Sequence, residues 1–184
     1  MKAKNLERYL ESFGKYIVKQ ARTKLTKGKK NVSKELYNSI KFEVETTANG
    51  DFTVQFMMDY YGQFVDKGVS GNKKKRTYKD WKGQTVSTPY KYTTKQPPSG
   101  IIEKWIKRKG LKGRVDKKWK SAGNRGGQFI TNKSFAFLIA RSIKKKGIQG
   151  ISFFQKPLML AMKSFPKDYA QALKKDIIET LNNK

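Results

Sequence analysis

The sequence contains no cysteine and no histidine. Without cysteine the chain forms no disulfide, offers no thiolate nucleophile and holds no metal through sulfur. Without histidine it lacks the commonest general base, the commonest transition-metal ligand, and the Ser-His and Cys-His nucleophilic pairs. These two absences exclude many classes of hydrolase, and we expect no bound metal and no cofactor.

Long apolar runs are also absent. No stretch approaches the roughly 18 consecutive apolar residues that cross a membrane. The N-terminal residues MKAKNLER lack the apolar centre of a signal peptide. We therefore expect a soluble protein that has no membrane partner and is made and used under cytoplasm-like conditions.

Acidic residues are few, because 14 Asp and Glu stand against 42 Lys and Arg, which gives a formal net charge of +28. They form no D-x-D or E-x-x-E cluster, so nothing indicates a two-metal or two-carboxylate site, and we predict that the protein is not an enzyme. A compact chain with this charge repels itself, so a polyanion or an acidic protein surface is the expected partner. A solvated, lysine-rich surface is the alternative.

The chain of 184 residues is long enough to bury a hydrophobic core, and we predict a single domain over residues 1–184. Its apolar periodicity predicts an α+β fold. A helical stripe from Leu6 to Leu25 predicts a long N-terminal helix that ends at Gly28. Residues 39–58 alternate on both sides of Asn49-Gly50 and predict an antiparallel hairpin.

A corner is predicted after the hairpin. Tyr61, Phe64 and Val65 recur at the three- and four-residue spacing of a short helix. We expect Gly68 to end this helix in a left-handed conformation. The first Lys-rich segment leaves from this corner, so the corner determines where much of the charge is displayed.

Two Lys-rich segments, at about residues 71–97 and 112–130, show little periodicity and are predicted to be extended loops. The first begins with four basic residues, Lys73, Lys74, Lys75 and Arg76. They are candidates for contact with phosphate or with an acidic partner.

The first segment also contains four aromatic residues, Tyr78, Trp81, Tyr90 and Tyr92. Aromatic residues among basic ones either stack on bases or form an extended β-hairpin arm that docks on a neighbouring subunit. We favour the inter-subunit arm, because the Thr and Tyr content suits an exposed β-hairpin.

Further helices are predicted after this arm. Ser99 is expected to cap a helix that ends at Gly110, and Asn132 or Ser134 to cap a helix that ends at Gly147. The last turn of the second helix contains Lys144, Lys145 and Lys146. These lysines face the negative end of the helix dipole.

The remaining predictions concern a loop and the C-terminus. The glycines at residues 123–127 predict a flexible loop, since no strand precedes them at the spacing of a phosphate-binding loop. A long C-terminal helix is predicted over residues 158–181, with a kink or a restart at Pro166.

Three segments follow one another along the chain: residues 33–40 (SKELYNSI), 61–68 (YGQFVDKG) and 153–158 (FFQKPL). Together they resemble the tail-completion and minor-tail (head-tail joining) proteins of tailed bacteriophages. In that family the patterns Gly-x-Leu-x-x-Ser-Ile, Tyr-Ala-x-x-Val-Glu-x-Gly and Pro-Phe-Leu-x-Pro-Ala occur in this order after a long N-terminal helix. Residues 98–111 and 135–148 are similar to an insertion in its larger members, so the resemblance covers most of the chain.

The resemblance implies a structural protein of the virion. Members of the family form a ring in the head-tail connector, neck or proximal tail, around the channel that DNA traverses, after assembly in the host cytoplasm. The implied partners are further copies of the chain, other neck, portal or tail proteins, and genomic DNA through non-specific contact. A ring requires a heterologous interface, which an arm supplies, and diffuse lysine contacts phosphate without reading bases.

A sequence-independent nucleic-acid-binding protein is the alternative. The net charge and the aromatic residues, including Trp119, favour it. The two functions differ in the isolated monomer. The alternative predicts tight, salt-sensitive binding to DNA, whereas the ring subunit predicts weak binding and assembly with other virion proteins.

Overall fold

The structure is a computed structural model and describes residues 3–30, 33–47, 50–118 and 120–182. Over these residues it contains seven α-helices and two antiparallel sheets of two strands each, so the predicted α+β class is confirmed. Across the same ranges, no helix combines the length and the apolar character needed to cross a membrane.

The N-terminal helix α1 spans Lys4–Lys27 and ends at Gly28, as predicted. Apolar residues spaced three and four apart lie on one face of a helix, and this face of α1 is buried from Leu6 to Leu25. The opposite face remains in solvent. It includes the pair Lys15 and Glu11, whose charged atoms are 2.8 Å apart.

The predicted hairpin consists of strands β1 (Lys41–Thr46) and β2 (Phe52–Met57). They pair antiparallel with Val44 opposite Val54, which puts the alternating apolar side chains of both strands on one face. Asn49, predicted in the connecting turn, lies outside the described residues.

Two short helices flank this hairpin. Helix α2 (Glu35–Ser39) leads into β1 and is not among the predicted helices, since little more than one turn is too short to show periodicity. Helix α3 (Gly62–Lys67) forms the predicted corner, and Gly68 ends it. Gly68 has the expected positive φ of 77°, but its ψ of −179° is extended, so it differs from the usual left-handed helix cap.

The segment of residues 71–97 contains the expected β-hairpin, but it is not one continuous arm. The hairpin is short and consists of β3 (Thr77–Lys79) and β4 (Thr85–Ser87). After it, the backbone is bonded back to Ser70, whose N–H donates to the Tyr90 carbonyl and whose carbonyl accepts the Tyr92 N–H, each at 2.8 Å. The segment is therefore bonded within its own chain on both sides of the hairpin, and its docking on a neighbouring subunit stays a prediction.

Helix α4 spans Ser99–Lys109 and ends at Gly110, as predicted. Its N-cap is Pro98 rather than Ser99, because Ser99 already has helical geometry and makes no capping bond. The loop expected at residues 123–127 overlaps a short 3-10 helix, Lys120–Arg125, which is interrupted at Gly123. Local turns therefore replace part of the predicted loop.

Helix α5 spans Asn132–Lys146 and ends at Gly147, as predicted. Its N-cap is neither Asn132 nor Ser134 but Thr131, whose hydroxyl oxygen accepts the Ser134 N–H at 3.2 Å. Thr, Asn and Ser all favour this position, so the sequence alone offers three candidates within four residues.

The C-terminal helix is divided into α6 (Gln155–Met162) and α7 (Phe165–Asn182). Pro166 lies in the first turn of α7. Proline is favoured there, because the first turn needs no N–H from it, and disfavoured further inside a helix. Of the two alternatives predicted at Pro166, the structure therefore has the restart.

By its internal contacts the chain divides into two compact units. The first, here called the core unit, comprises Met1–Gly68, Thr77–Ser87 and Gln149–Lys184. The second, here called the basic unit, comprises Val69–Arg76 and Thr88–Ile148. That the chain acts as a single domain stays a prediction.

The two units differ in their hydrophobic cores. In the core unit the fully buried Phe153 packs in one cluster with Leu25, Leu36 and Ile40. The core of the basic unit consists of two isoleucines of α4 and two alanines of α5. These are Ile102, Ile106, Ala136 and Ala140. The basic unit therefore has a small core that is built from one pair of helices.

A buried carboxylate connects α7 to the start of α1. Asp176 accepts the N–H and the side-chain amide of Asn5 at 2.9 Å each, and the N–H of Leu6 at 2.9 Å. Backbone N–H groups in the first turn of a helix have no partner inside the helix. Burial raises the pKa of the Asp176 carboxyl, but the three hydrogen bonds outweigh it and hold the pKa below its ordinary value.

Replacing Asp176 with Asn should lower the free energy of unfolding near neutral pH by about 1 to 3 kcal/mol, because charged acceptors of buried N–H groups contribute this much. The folded pKa lies below the unfolded pKa of about 3.9. The stabilisation is therefore complete above the unfolded pKa and is lost as the pH falls through the folded one. Urea denaturation over a pH series should find a difference between wild type and variant that shrinks on acidification.

The control for this prediction is Glu179→Gln, which removes the same charge from an exposed position on α7. It should change the free energy of unfolding by no more than about 0.5 kcal/mol. A difference between wild type and Asp176→Asn that is the same at every pH would contradict the assignment of the ionised carboxylate as the cap.

Candidate functional site

The positive charge is concentrated in the basic unit. Its 69 residues contain 21 Lys and Arg and two acidic residues, a formal net charge of +19. The 115 residues of the core unit contain 21 Lys and Arg and 12 acidic residues, a formal net charge of +9. A polyanion is therefore attracted mainly to the basic unit.

The four predicted contact residues lie in a closed loop of the basic unit. The loop lysines, all exposed, are Lys73, Lys74 and Lys75. The Gly71 N–H donates to the Lys74 carbonyl at 2.9 Å, and the Arg76 N–H donates to the hydroxyl oxygen of the buried Ser70 at 3.0 Å. These bonds fix the backbone, so the loop lysines extend from a defined turn.

A second lysine run meets this loop at the end of α5. The helix lysines are Lys144, Lys145 and Lys146. The last carbonyl groups of a helix have no partner inside it. The Lys144 carbonyl accepts the N–H of Asn72 at 2.9 Å, and the Lys145 carbonyl accepts the N–H of Lys73 at 3.0 Å. The Lys146 carbonyl accepts the Nε–H of Arg76 at 2.8 Å. Two runs about 70 positions apart in the sequence therefore come together.

We call the loop lysines, Arg76 and the helix lysines the basic cluster. It unites all four residues predicted to contact phosphate with three that sequence reasoning assigned only to the helix dipole. The Lys144 ammonium group also donates to the Thr94 carbonyl, which fixes the position of this side chain. Seven like charges at one helix end repel one another, and a bound polyanion relieves that repulsion.

Two glycines permit the close approach of the two runs. A β carbon at Gly71 would lie 2.2 Å from the Lys145 carbonyl oxygen, and one at Gly147 would lie 2.1 Å from the Val69 carbonyl oxygen. Gly147 also has a φ of 69° and a ψ of −173°. This conformation is unfavourable by about 1 to 3 kcal/mol for residues other than glycine.

The two carboxylates of the basic unit serve local structure outside the basic cluster. Glu103 pairs with Lys107 one turn further along α4, with 3.1 Å between their charged atoms. Asp116 accepts the N–H of Lys118 at 2.9 Å. The acidic residues of this unit are thus already engaged with other groups.

The four aromatic residues predicted to form the inter-subunit arm are divided between the two units. Tyr78 and Trp81 belong to the core unit, and Tyr90 and Tyr92 to the basic unit. Trp81, in the turn between β3 and β4, is 42% exposed, whereas the other three are half-buried. Of the four, Trp81 therefore offers the most side-chain surface to a partner.

The predicted corner residues occupy three different environments. Val65 packs against the core around Phe153, and Gly68 is buried. Tyr61 is 39% exposed, and the half-buried ring of Phe64 meets the ring of Tyr60 edge-on at 5.3 Å. The corner therefore contributes both to the core and to the surface.

Asp66, which the corner prediction did not single out, holds the start of α6. Its carbonyl accepts the Ser152 N–H at 3.0 Å, and its carboxylate accepts the Phe154 N–H at 2.8 Å. Burial raises the pKa of the Asp66 carboxyl, and the N–H groups of Phe154 and Gln155 offset part of that rise. The sequence contained a signal for this contact, since an Asp inside a predicted buried corner needs a hydrogen-bond partner.

Among the residues that the structure describes, no group of three acidic side chains is placed to hold a metal ion. The basic unit also contains a cleft of about 710 Å³, lined by Phe137, Leu138 and Ile130 together with Arg114 and Lys133. Trp119, counted as an aromatic candidate for nucleic-acid contact, lies outside the described residues.

Comparison of the chain with protein-family models, with curated proteins and with solved structures gives no match.

Replacing Gly147 with Ala should lower the free energy of unfolding by about 2 kcal/mol or more, because the new β carbon adds a clash to an unfavourable backbone conformation. The matched control is Gly100→Ala in α4, where a β carbon meets nothing within 4 Å. Alanine favours a helix, so this control should be neutral or stabilise by up to about 1 kcal/mol. Equal effects of the two variants in thermal denaturation would contradict the close approach at Gly147.

Proposed function

We propose that this protein is a structural subunit of a tailed-bacteriophage virion, which forms a ring in the head-tail connector, neck or tail-completion complex around the DNA channel. The observation that carries the proposal is the arrangement of the three segments on which the family resemblance rests. They are far apart in the sequence, yet they pack together in the core unit.

The packing of these segments is specific. Residues 33–40 contribute Leu36 and Ile40 to the cluster around Phe153, which belongs to residues 153–158. Residues 61–68 contribute Val65 to the same cluster and Asp66 to the start of α6. Short patterns that match a family by chance have no reason to meet, whereas patterns that specify a common fold do. Their contacts therefore support the resemblance.

Exposed aromatic residues on the core unit support self-assembly. Tyr60 is 70% exposed and Trp81 is 42% exposed. Large aromatic residues on a surface are typical of protein interfaces, where they supply much of the binding energy. A ring requires two different surfaces on each subunit, so that the contact repeats around the circle. We assign Trp81, in the turn of the β3–β4 hairpin, to one of them.

The charge distribution fits a ring around DNA. A channel for DNA needs walls that are positive or neutral, so that the phosphates are not repelled, and no base readout. The basic unit meets this requirement, because its 69 residues have a formal net charge of +19. Other neck, portal or tail proteins would complete the assembly.

A sequence-independent nucleic-acid-binding protein is the second candidate function. The observation that favours it is the partition of charge, because a compact unit with 21 basic and two acidic residues attracts nucleic acid without any assembly. The two functions are separated by the oligomeric state, since this second function requires no ring.

Replacing Trp81 with Ala should raise the concentration at which the protein assembles by about thirtyfold. Removal of an aromatic residue from the centre of an interface costs about 2 kcal/mol or more, and each 1.4 kcal/mol corresponds to about a tenfold change in affinity. The measurement is the mass of the purified protein by light scattering over a concentration series.

The matched control for this measurement is Trp105→Ala, since Trp105 is 41% exposed and lies on α4 in the basic unit. It should leave assembly unchanged. Wild-type protein that remains a monomer at the highest concentration it tolerates would contradict the ring. Equal effects of the two substitutions would contradict the role of Trp81.

A further inference from the structure

We propose that the basic cluster is a single binding site for the phosphate backbone of duplex DNA, which it contacts without reading the bases. The site combines the loop lysines and Arg76 with the helix lysines, and the helix lysines are essential to the proposal. The identity of the polyanion rests on the proposed function, which brings the chain next to a DNA channel.

The first argument is that the site is built before the ligand arrives. The backbone of the loop is bonded to itself, to Ser70 and to the last carbonyl groups of α5. A lysine on a fixed backbone loses less freedom on binding than one on a mobile segment. The seven side chains therefore extend from one hydrogen-bonded stretch of backbone rather than from two independent runs.

The second argument concerns the class of ligand. A protein interface usually centres on buried aromatic or aliphatic anchors. The two segments that form the basic cluster, residues 71–76 and 144–147, contain no aromatic or aliphatic side chain. Binding to a nucleic-acid backbone requires only cations at suitable intervals, since the energy comes from release of condensed counterions. The composition of the cluster therefore favours phosphate over an acidic protein.

The third argument favours duplex over single-stranded nucleic acid. Proteins that bind single strands without sequence preference stack the bases on exposed aromatic rings. Tyr90 and Tyr92, whose backbone groups are bonded to Ser70 beside the loop, are half-buried. Burial also raises the pKa of the Tyr92 phenol. Half-buried rings offer little stacking surface, whereas a duplex backbone requires none.

The test is a binding titration of a fluorescein-labelled DNA duplex of mixed sequence, followed by anisotropy at several salt concentrations starting from low salt. The loop variant carries Lys73→Gln, Lys74→Gln and Lys75→Gln, and the helix variant carries Lys145→Gln and Lys146→Gln. The control carries Lys104→Gln, Arg108→Gln and Lys109→Gln on exposed positions of α4, in the same unit. Circular dichroism checks that all variants are folded.

The expected results follow from counterion release, which contributes about 0.9 to the slope of log K against log salt for each phosphate contact. The loop variant should reduce the slope by about 2 to 3 and the helix variant by about 1 to 2. Each should weaken binding at low salt by about tenfold or more, whereas the control should change the slope by less than about 1.

Four outcomes would overturn the proposal. The first is equal losses in the control and the cluster variants, which would mean that charge acts diffusely over the basic unit. The second is an unchanged slope in the helix variant, which would restrict the site to the loop. The third is binding of poly-glutamate or of a single strand as tight as that of the duplex, with the same losses in the variants. A wild-type protein that ignores the duplex at low salt would overturn it as well.

This experiment separates its own failure from that of the proposed function. A protein that binds the duplex through the basic cluster but never forms a ring would contradict the ring and leave the DNA site intact. A protein that forms rings but does not bind the duplex would support the ring and contradict the DNA site.

Discussion

Repulsion between like charges opposes the folding of this chain, and it is strongest in the basic unit. The basic unit places a formal charge of +19 on 69 residues, and the described core cluster of this unit is small: Ile102, Ile106, Ala136 and Ala140, with Phe135, Ile139 and Ile143 packed against them. Burial of so few apolar side chains offsets little of the electrostatic cost of compaction. Backbone hydrogen bonds between the loop of residues 71–76 and the end of α5 supply part of what the core lacks. A bound polyanion would supply more, because it stabilises whichever state binds it.

Two acidic residues of the core unit stabilise its fold rather than neutralise surface charge. Asp66 and Asp176 are buried, and each accepts backbone N–H groups at the start of a helix. These contacts connect α3 to α6 and α7 to α1, so two of the few carboxylates determine the connections between distant elements. Their role is structural, and so is that of the three motif segments around Phe153. In the core unit these carboxylates therefore serve the fold.

The sequence predicted the features that depend on local pattern. The stripe of α1, the alternation of β1 and β2, and the ends of α4 and α5 at glycine all follow from spacing within one element. The meeting of the loop lysines with the helix lysines was not predictable in the same way. It requires a close approach of Gly71 to Lys145, and this contact between distant segments leaves no periodic signal. The caps at Asp66 and Asp176 escaped prediction for the same reason, because their partners lie 88 and 170 positions away.

The proposed ring around DNA can be observed by electron microscopy of the purified protein at the concentration where it assembles. Class averages distinguish closed rings from open filaments and from monomers. A heterologous interface that closes gives rings of one size with a central opening, and this is the predicted result. Filaments of variable length, or monomers alone, would contradict the account.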